Sequence, residues 1–153
     1  MNIHFLHRGA WAVVLMLFAL LAHAEEVPTP TTLPGGKVVT IQEAKALLDA
    51  GKALFIDTRN PINFGRGHVP GAKLVSYDAK SEKVADFDAS LDKFALEELP
   101  GDKERPIVFY SHGVTGWKSY KAAVMALRHG YKNVFWMREG MDAWTAAKYP
   151  EER

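Results

Sequence analysis

Two clusters of polar side chains carry the chemistry available to this chain. The first is Asp57-Thr58-Arg59, followed by His68. The second is the run Ser111, His112, Gly113, Val114, Thr115, Gly116, Trp117 and Lys118. Each cluster directly follows a short apolar run, Ala53 to Ile56 in one case and Ile107 to Tyr110 in the other. A loop with two glycines that opens into a helix can turn backbone amides inward, and the helix dipole adds to their field. Lys118 supplies a cation at the same place, so the arrangement favours an anion. The rival reading is a plain strand-to-helix connection. Ser111 also raises the question of a serine nucleophile, which needs a base in hydrogen-bond reach and an acid to orient it. His112 is adjacent in sequence, but neighbours diverge from an extended strand end. His68 with Asp57 is the other conceivable pair.

The count of cysteines is zero. That excludes disulfides, thiolate metal sites, iron–sulfur clusters and any thiol nucleophile supplied by this chain. Beyond residue 24 the histidines are His68, His112 and His129, and no two have metal-ligand spacing. No metal and no cofactor are expected. Met125, Met137 and Met141 are scattered as core filler would be. His129 suits the last turn of a helix, where positive charge favours the dipole. Lys and Arg number 19 against 18 Asp and Glu. A nearly neutral chain without basic runs is a poor partner for nucleic acid, whose binding rests on phosphate neutralisation.

The elements that must position these clusters follow from periodicity. Thr40-Ile41-Gln42-Glu43 is a capping box, and the helix it opens runs to Ala50, with Gly51 as its stop. Ala53 to Ile56, Ile107 to Tyr110 and Val134 to Trp136 are short apolar runs of the kind buried on both faces of a sheet. Val69 to Val75 holds a Pro-Gly turn and a short strand, and Val38-Val39 is another strand. Helices are expected over Ser90 to Leu99, Lys118 to His129 and Met141 to Ala147. Alternating strands and helices imply an α/β fold around a mainly parallel sheet. In such sheets ligands bind beyond the carboxyl ends of strands, where both polar clusters lie.

The first 24 residues read as an address. Arg8 lies in a short basic region, the apolar run Ala10 to Leu21 follows, and Ala22-His23-Ala24 is a small-x-small site. Twelve apolar residues, Ala10 to Leu21, fall short of the roughly 20 that span a bilayer. We expect a signal peptide over 1–24, cleavage after Ala24, and a periplasmic or secreted domain with no stable membrane anchor. Residues 25–36 are rich in Pro, Thr and Gly and read as a flexible lead-in. A single domain is expected over 37–150.

The residues also carry a resemblance. Phe55-Ile56-Asp57-Thr58-Arg59, then Gly67-His68-Val69-Pro70-Gly71-Ala72, resembles the first signature of the rhodanese domain. Ile107 to Ala123 is similar to that family's strand, active-site loop and helix. Phe135 to Trp144 resembles its closing motif, with Glu139 in place of the first of two glycines. The resemblance implies a rhodanese-like α/β fold, a five-stranded mainly parallel sheet flanked by helices, and sulfur transfer through a cysteine persulfide. It also implies that Asp57, Arg59 and His68 brace the loops. The family's Cys opens the loop after the Ile107–Tyr110 strand, and here that position is Ser111. Some exported members have a loop of the form Cys-Asn-Gly-Pro-x-Cys-Trp-Lys/Arg-Ser. Against that form, Ser111 and Gly116 stand at the two Cys positions, while Gly113, Trp117, Lys118 and Ser119 match.

Sulfur transfer needs a thiolate that attacks a sulfane sulfur and then carries it. A serine hydroxyl offers no sulfur for that intermediate. The expectation is therefore a non-catalytic binding or accessory protein that uses the degenerate loop Ser111 to Lys118. Its partner would be a periplasmic protein or a small oxyanion. The alternative is an enzyme of the sulfurtransferase family with atypical activity through Ser111 or a partner's thiol. The resemblance to accessory proteins of periplasmic quinoprotein alcohol oxidation suggests a setting for the accessory role. Trp117 is either a contact anchor at the loop rim or a ring closing over the first helical turn. Tyr110, Phe135, Trp136 and Trp144 are expected in the core.

Overall fold

The computed structural model describes residues 26–153. The expected leader over 1–24 lies outside the described residues. The chain runs β1 (Lys37–Val39), α1 (Ile41–Asp49), β2 (Leu54–Asp57), α2 (Pro61–Arg66), β3 (Lys73–Leu74), β4 (Ile107–Tyr110), α3 (Trp117–Arg128), β5 (Val134–Met137) and α4 (Gly140–Ala146). The five strands form one sheet in the order β1-β5-β4-β2-β3, and every pairing is parallel. Parallel neighbours cannot be joined by tight hairpins, so each connection crosses a face of the sheet.

β4 lies in the middle and all four of its residues are buried. Its side chains alternate between two cores, as strand geometry requires. Ile107 and Phe109 join Ile56, Trp136, Tyr120 and Ala123 beneath α3. Val108 and Tyr110 join Phe55, Met137, Ala44 and Trp144 beneath α1 and α4. Thr40 closes its capping box as the sequence requires: its side chain accepts from Glu43 N–H, and the Glu43 carboxylate accepts from Thr40 N–H.

Two expectations are corrected and one further element is found. Residues 90–99 do not form one helix but two short 3-10 turns, Ala89–Leu91 and Leu96–Glu98. Between them Lys93 makes a backbone bridge to Asp78. The cause is side-chain competition with the helical backbone. Asp88 accepts from Ser90 N–H and Oγ–H. Asp92 accepts from Tyr77, Lys80 and Ser81, all outside its own segment. A second difference is α2, a short helix that apolar periodicity does not reveal. Its signal is Asn60 as cap, accepting from Asn63 N–H, with Pro61 at the first helical position. Third, residues 26–36 are not a free lead-in. Thr29 and Leu33 are buried and the segment is bonded to the domain. Pro28, Pro30 and Pro34 restrict the chain before it docks, which lowers the entropy lost on ordering.

Candidate functional site

At the end of β2, Asp57 and Arg59 form a buried ion pair. Arg59 Nη2 lies 2.7 Å from Asp57 Oδ2, and Arg59 Nε lies 3.0 and 3.1 Å from the two carboxylate oxygens. The same Nη2 donates to Gly67 O at 2.7 Å, and Arg59 N–H donates to Asp57 Oδ1. Burial opposes the guanidinium's charge, but the hydrogen bonds and charge of Asp57 prevail and hold it above its ordinary value. Tyr110 reaches the same corner, where its hydroxyl oxygen accepts from Val69 N–H at 3.1 Å. Burial pushes that phenol upward. His68 stacks on Phe64, donates from Nδ1 to Phe64 O at 2.9 Å, and sits 3.7 Å from Glu152 through Nε2. This corner joins the β2 end, the His68 turn and the chain's last residues.

At the end of β4 the loop departs from Ser111. Ser111 O and His112 O accept from Met141 N–H and Asp142 N–H at the start of α4. Gly140 makes that approach possible. It has φ +63°, and an added Cβ would stand 2.5 Å from His112 O and 2.7 Å from Ser111 O. Glu139, in place of a family glycine, accepts from Ile41 N–H and ties this turn to α1. Inside the loop, Gly116 N–H donates to Gly113 O and Trp117 N–H donates to Thr115 O. Those two amides are therefore spent. The amides of His112, Gly113, Val114 and Thr115 donate to no protein group among the described residues.

Ser111 is buried, and it lines a cavity of about 290 Å³. The cavity is also lined by His112, Thr115, Lys83, Lys118 and Lys121, and no carboxylate among the described residues lines it. Ser111 Oγ has no hydrogen-bond partner among the described residues. His68 is bound to Phe64 O, and His112 is exposed with Nε2 3.3 Å from Asn63 Nδ2. Neither imidazole bonds to Ser111, so the hydroxyl has no base in place among the described residues. Gly116 faces it closely: a Cβ there would lie 2.9 Å from Ser111 Cβ and 2.8 Å from Gly113 O. The loop is shaped around the absence of a side chain at 116.

Trp117 is not an exposed anchor. It is buried, its ring meets Tyr120 edge-on, and Nε1–H donates to Val27 O at 2.8 Å. Lys118 is half-buried and makes no ion pair among the described residues. Lys121 escaped the sequence reading. It is fully buried, and Nζ donates to Ser81 O and Ser81 Oγ at 2.9 and 2.6 Å, with Asp92 3.7 Å away. Burial lowers this lysine's pKa, against the opposing pull of Asp92. Burial likewise works against the Asp92 carboxylate, yet the donors from Ser81, Tyr77 and Lys80 outweigh it and hold Asp92 at about 2. The lysine's partners come from 40 residues upstream in the chain, so no local pattern announces them.

Comparisons with known proteins fit this geometry. The chain is 31% identical over 116 residues to the thiosulfate sulfurtransferase GlpE of Haemophilus influenzae, covering 74% of this chain and 92% of that one. It is 30% identical over 120 residues to a tRNA uridine(34) hydroxylase of Sodalis glossinidius, where 77% of this chain matches only 31% of the relative. The chain thus spans about a third of the hydroxylase's length. Among solved structures, the polysulfide-sulfur transferase homodimer of Wolinella succinogenes superposes with a TM-score of 0.56 at 19% identity, covering 78% of this chain and 80% of that one. BH2092 of Bacillus halodurans superposes with 0.58 at 19% identity, covering 76% of each chain. These two likenesses concern the fold. The family model described as "Rhodanese-like domain" matches residues 40–147, and the chain belongs to that family.

Proposed function

We propose that this chain is a non-catalytic member of its family, which holds a small oxyanion, or the anionic group of a periplasmic protein partner, in the Ser111 cavity. The observation that carries this reading is the character of that cavity. Lys83, Lys118 and Ser111 line it, no carboxylate among the described residues does, and the amides of His112 and Thr115, which also line it, are unspent among those residues, whereas the ammonium of Lys121 is already taken up by Ser81 and Asp92. Such donors favour an anion through charge and through unfilled hydrogen-bonding capacity. The persulfide route is closed to this chain's own residues, because it has no cysteine. A nucleophilic role for Ser111 lacks an adjacent base, without which a hydroxyl is inert at neutral pH. Thiosulfate sulfurtransferase is the printed activity of the GlpE relative, and a cradle inherited from such an enzyme would suit a sulfur oxyanion. Export rests on the composition of residues 1–24.

The test is calorimetric titration of the full chain with thiosulfate, sulfate and phosphate at low ionic strength. At least one anion is expected to bind saturably, and Lys118→Ala to weaken it by about tenfold. Absence of saturable binding of all three anions would overturn the reading.

A further inference from the structure

We propose that residues 26–34 are a strap that forms part of the Ser111 site, with Arg138 and Thr29 as its positioning residues. Arg138 directly follows β5, so its base is fixed to the carboxyl edge of the sheet. Its guanidinium holds three oxygens of the strap: Nη2 donates to Thr29 O at 2.9 Å, and Nε lies 3.1 Å from Thr29 Oγ1 and 2.9 Å from Pro30 O. Thr29 is thereby placed to donate twice to one acceptor in the loop. Its N–H and its Oγ1–H both reach Val114 O, at 2.8 and 2.6 Å. Two flanking contacts complete the seam. Trp117 Nε1–H donates to Val27 O, and Thr115 Oγ1–H donates to Glu26 Oε2 at 2.9 Å. Leu33, in the core beneath α3, anchors the far end.

The consequence for the site follows from peptide geometry. In a trans peptide the carbonyl of one residue and the N–H of the next point in opposite directions. Val114 O is drawn onto the strap, so Thr115 N–H is turned away from it. Thr115 lines the Ser111 cavity. The strap thus selects one of the two faces that this peptide could present, and it does so in a loop with Gly113 and Gly116 on either side. Gly116, at the start of α3, has no side-chain cap to stabilise the entry. Without the strap, the loop's own restraints nearest this peptide are the Gly116–Gly113 and Trp117–Thr115 bonds. The strap orders the donor set before any ligand arrives, and such preorganisation is where binding sites gain affinity.

The affinity effect rests on the oxyanion reading given above, whereas the ordering effect does not. Two measurements separate them. Hydrogen exchange is followed on the full chain, comparing wild type with Arg138→Ala and with Thr29→Val, which removes the hydroxyl and keeps the shape. Exchange of the hydrogen-bonded amides of Thr29, Gly116 and Trp117 is expected to accelerate by about tenfold or more in Arg138→Ala, and less in Thr29→Val, while β4 amides stay protected. Thiosulfate affinity, measured in parallel, is expected to fall by a similar factor. Unchanged exchange in the loop of both variants would overturn the strap's role, whatever the anions do. Faster exchange with unchanged affinity for an anion that binds the wild type would overturn its contribution to the site. If the wild type binds no anion, the oxyanion reading fails and the exchange comparison alone decides the strap. If Arg138→Ala does not fold, Thr29→Val decides by the same readout.

Discussion

The ends of β2 and β4 stand side by side on the sheet, and they differ in what their polar groups do. At the β2 end, the Asp57 carboxylate is met by Arg59, whose guanidinium also donates to Gly67 O. Both side chains are buried. At the β4 end, Ser111 Oγ has no partner and four consecutive amides are unspent among the described residues, and Lys83 and Lys118 line the cavity beside them. A buried ion pair that satisfies itself is structural, and removing one partner leaves an uncompensated charge. Unspent donors beside a cavity are what a ligand can use. One strand end is thus braced by its own ion pair, whereas the other leaves donors unspent beside a cavity.

Substitutions can break this contrast. The largest effect is expected from Arg59→Ala, which strands the Asp57 carboxylate in the core and should lower the unfolding free energy by about 3–5 kcal/mol. Denaturant unfolding would measure it, and a loss below about 1 kcal/mol would place Arg59 outside the structural class. Gly116→Ala should cost less, about 1–2 kcal/mol, because its Cβ would press on Gly113 O and Ser111 Cβ and the loop must shift. The smallest stability effect is expected from Lys118→Ala, within about 0.5 kcal/mol of wild type, although this is the substitution expected to weaken anion binding. A large stability loss in Lys118→Ala would dissolve the distinction between the two strand ends.

The framework of the fold was readable because it is local. Short apolar runs marked β2, β4 and β5, and Thr40 with Glu43 marked the start of α1. What could not be read was tertiary. Asp92 is drawn out of a helical pattern by donors from Tyr77, Lys80 and Ser81, and nothing near residue 92 predicts them. Lys121 looks like a solvent-facing residue of an amphipathic helix until Ser81 is found against it. The Pro- and Thr-rich composition of residues 26–36 reads as loose chain, yet Arg138, more than a hundred residues downstream, makes it part of the loop's wall. Asn60 followed by Pro61 was a readable helix start whose apolar pattern was too short to draw notice. At the site, Ser111 and its loop were readable as a unit. The spending of the Gly116 and Trp117 amides within the loop was not, because that depends on the turn the glycines adopt.

If the Ser111 loop keeps the family's sulfur-transfer cradle, as we propose, only the thiol is missing. The direct test is mass spectrometry of Ser111→Cys after incubation with thiosulfate. The new thiolate would attack the sulfane sulfur, the sulfur–sulfur bond of thiosulfate would break, and sulfite would leave with the bonding pair. Ser111→Cys is expected to gain the mass of one sulfur atom, reversed by reductant, and wild type is not. If Ser111→Cys keeps an unmodified thiol under those conditions, the loop is not a sulfur-transfer cradle.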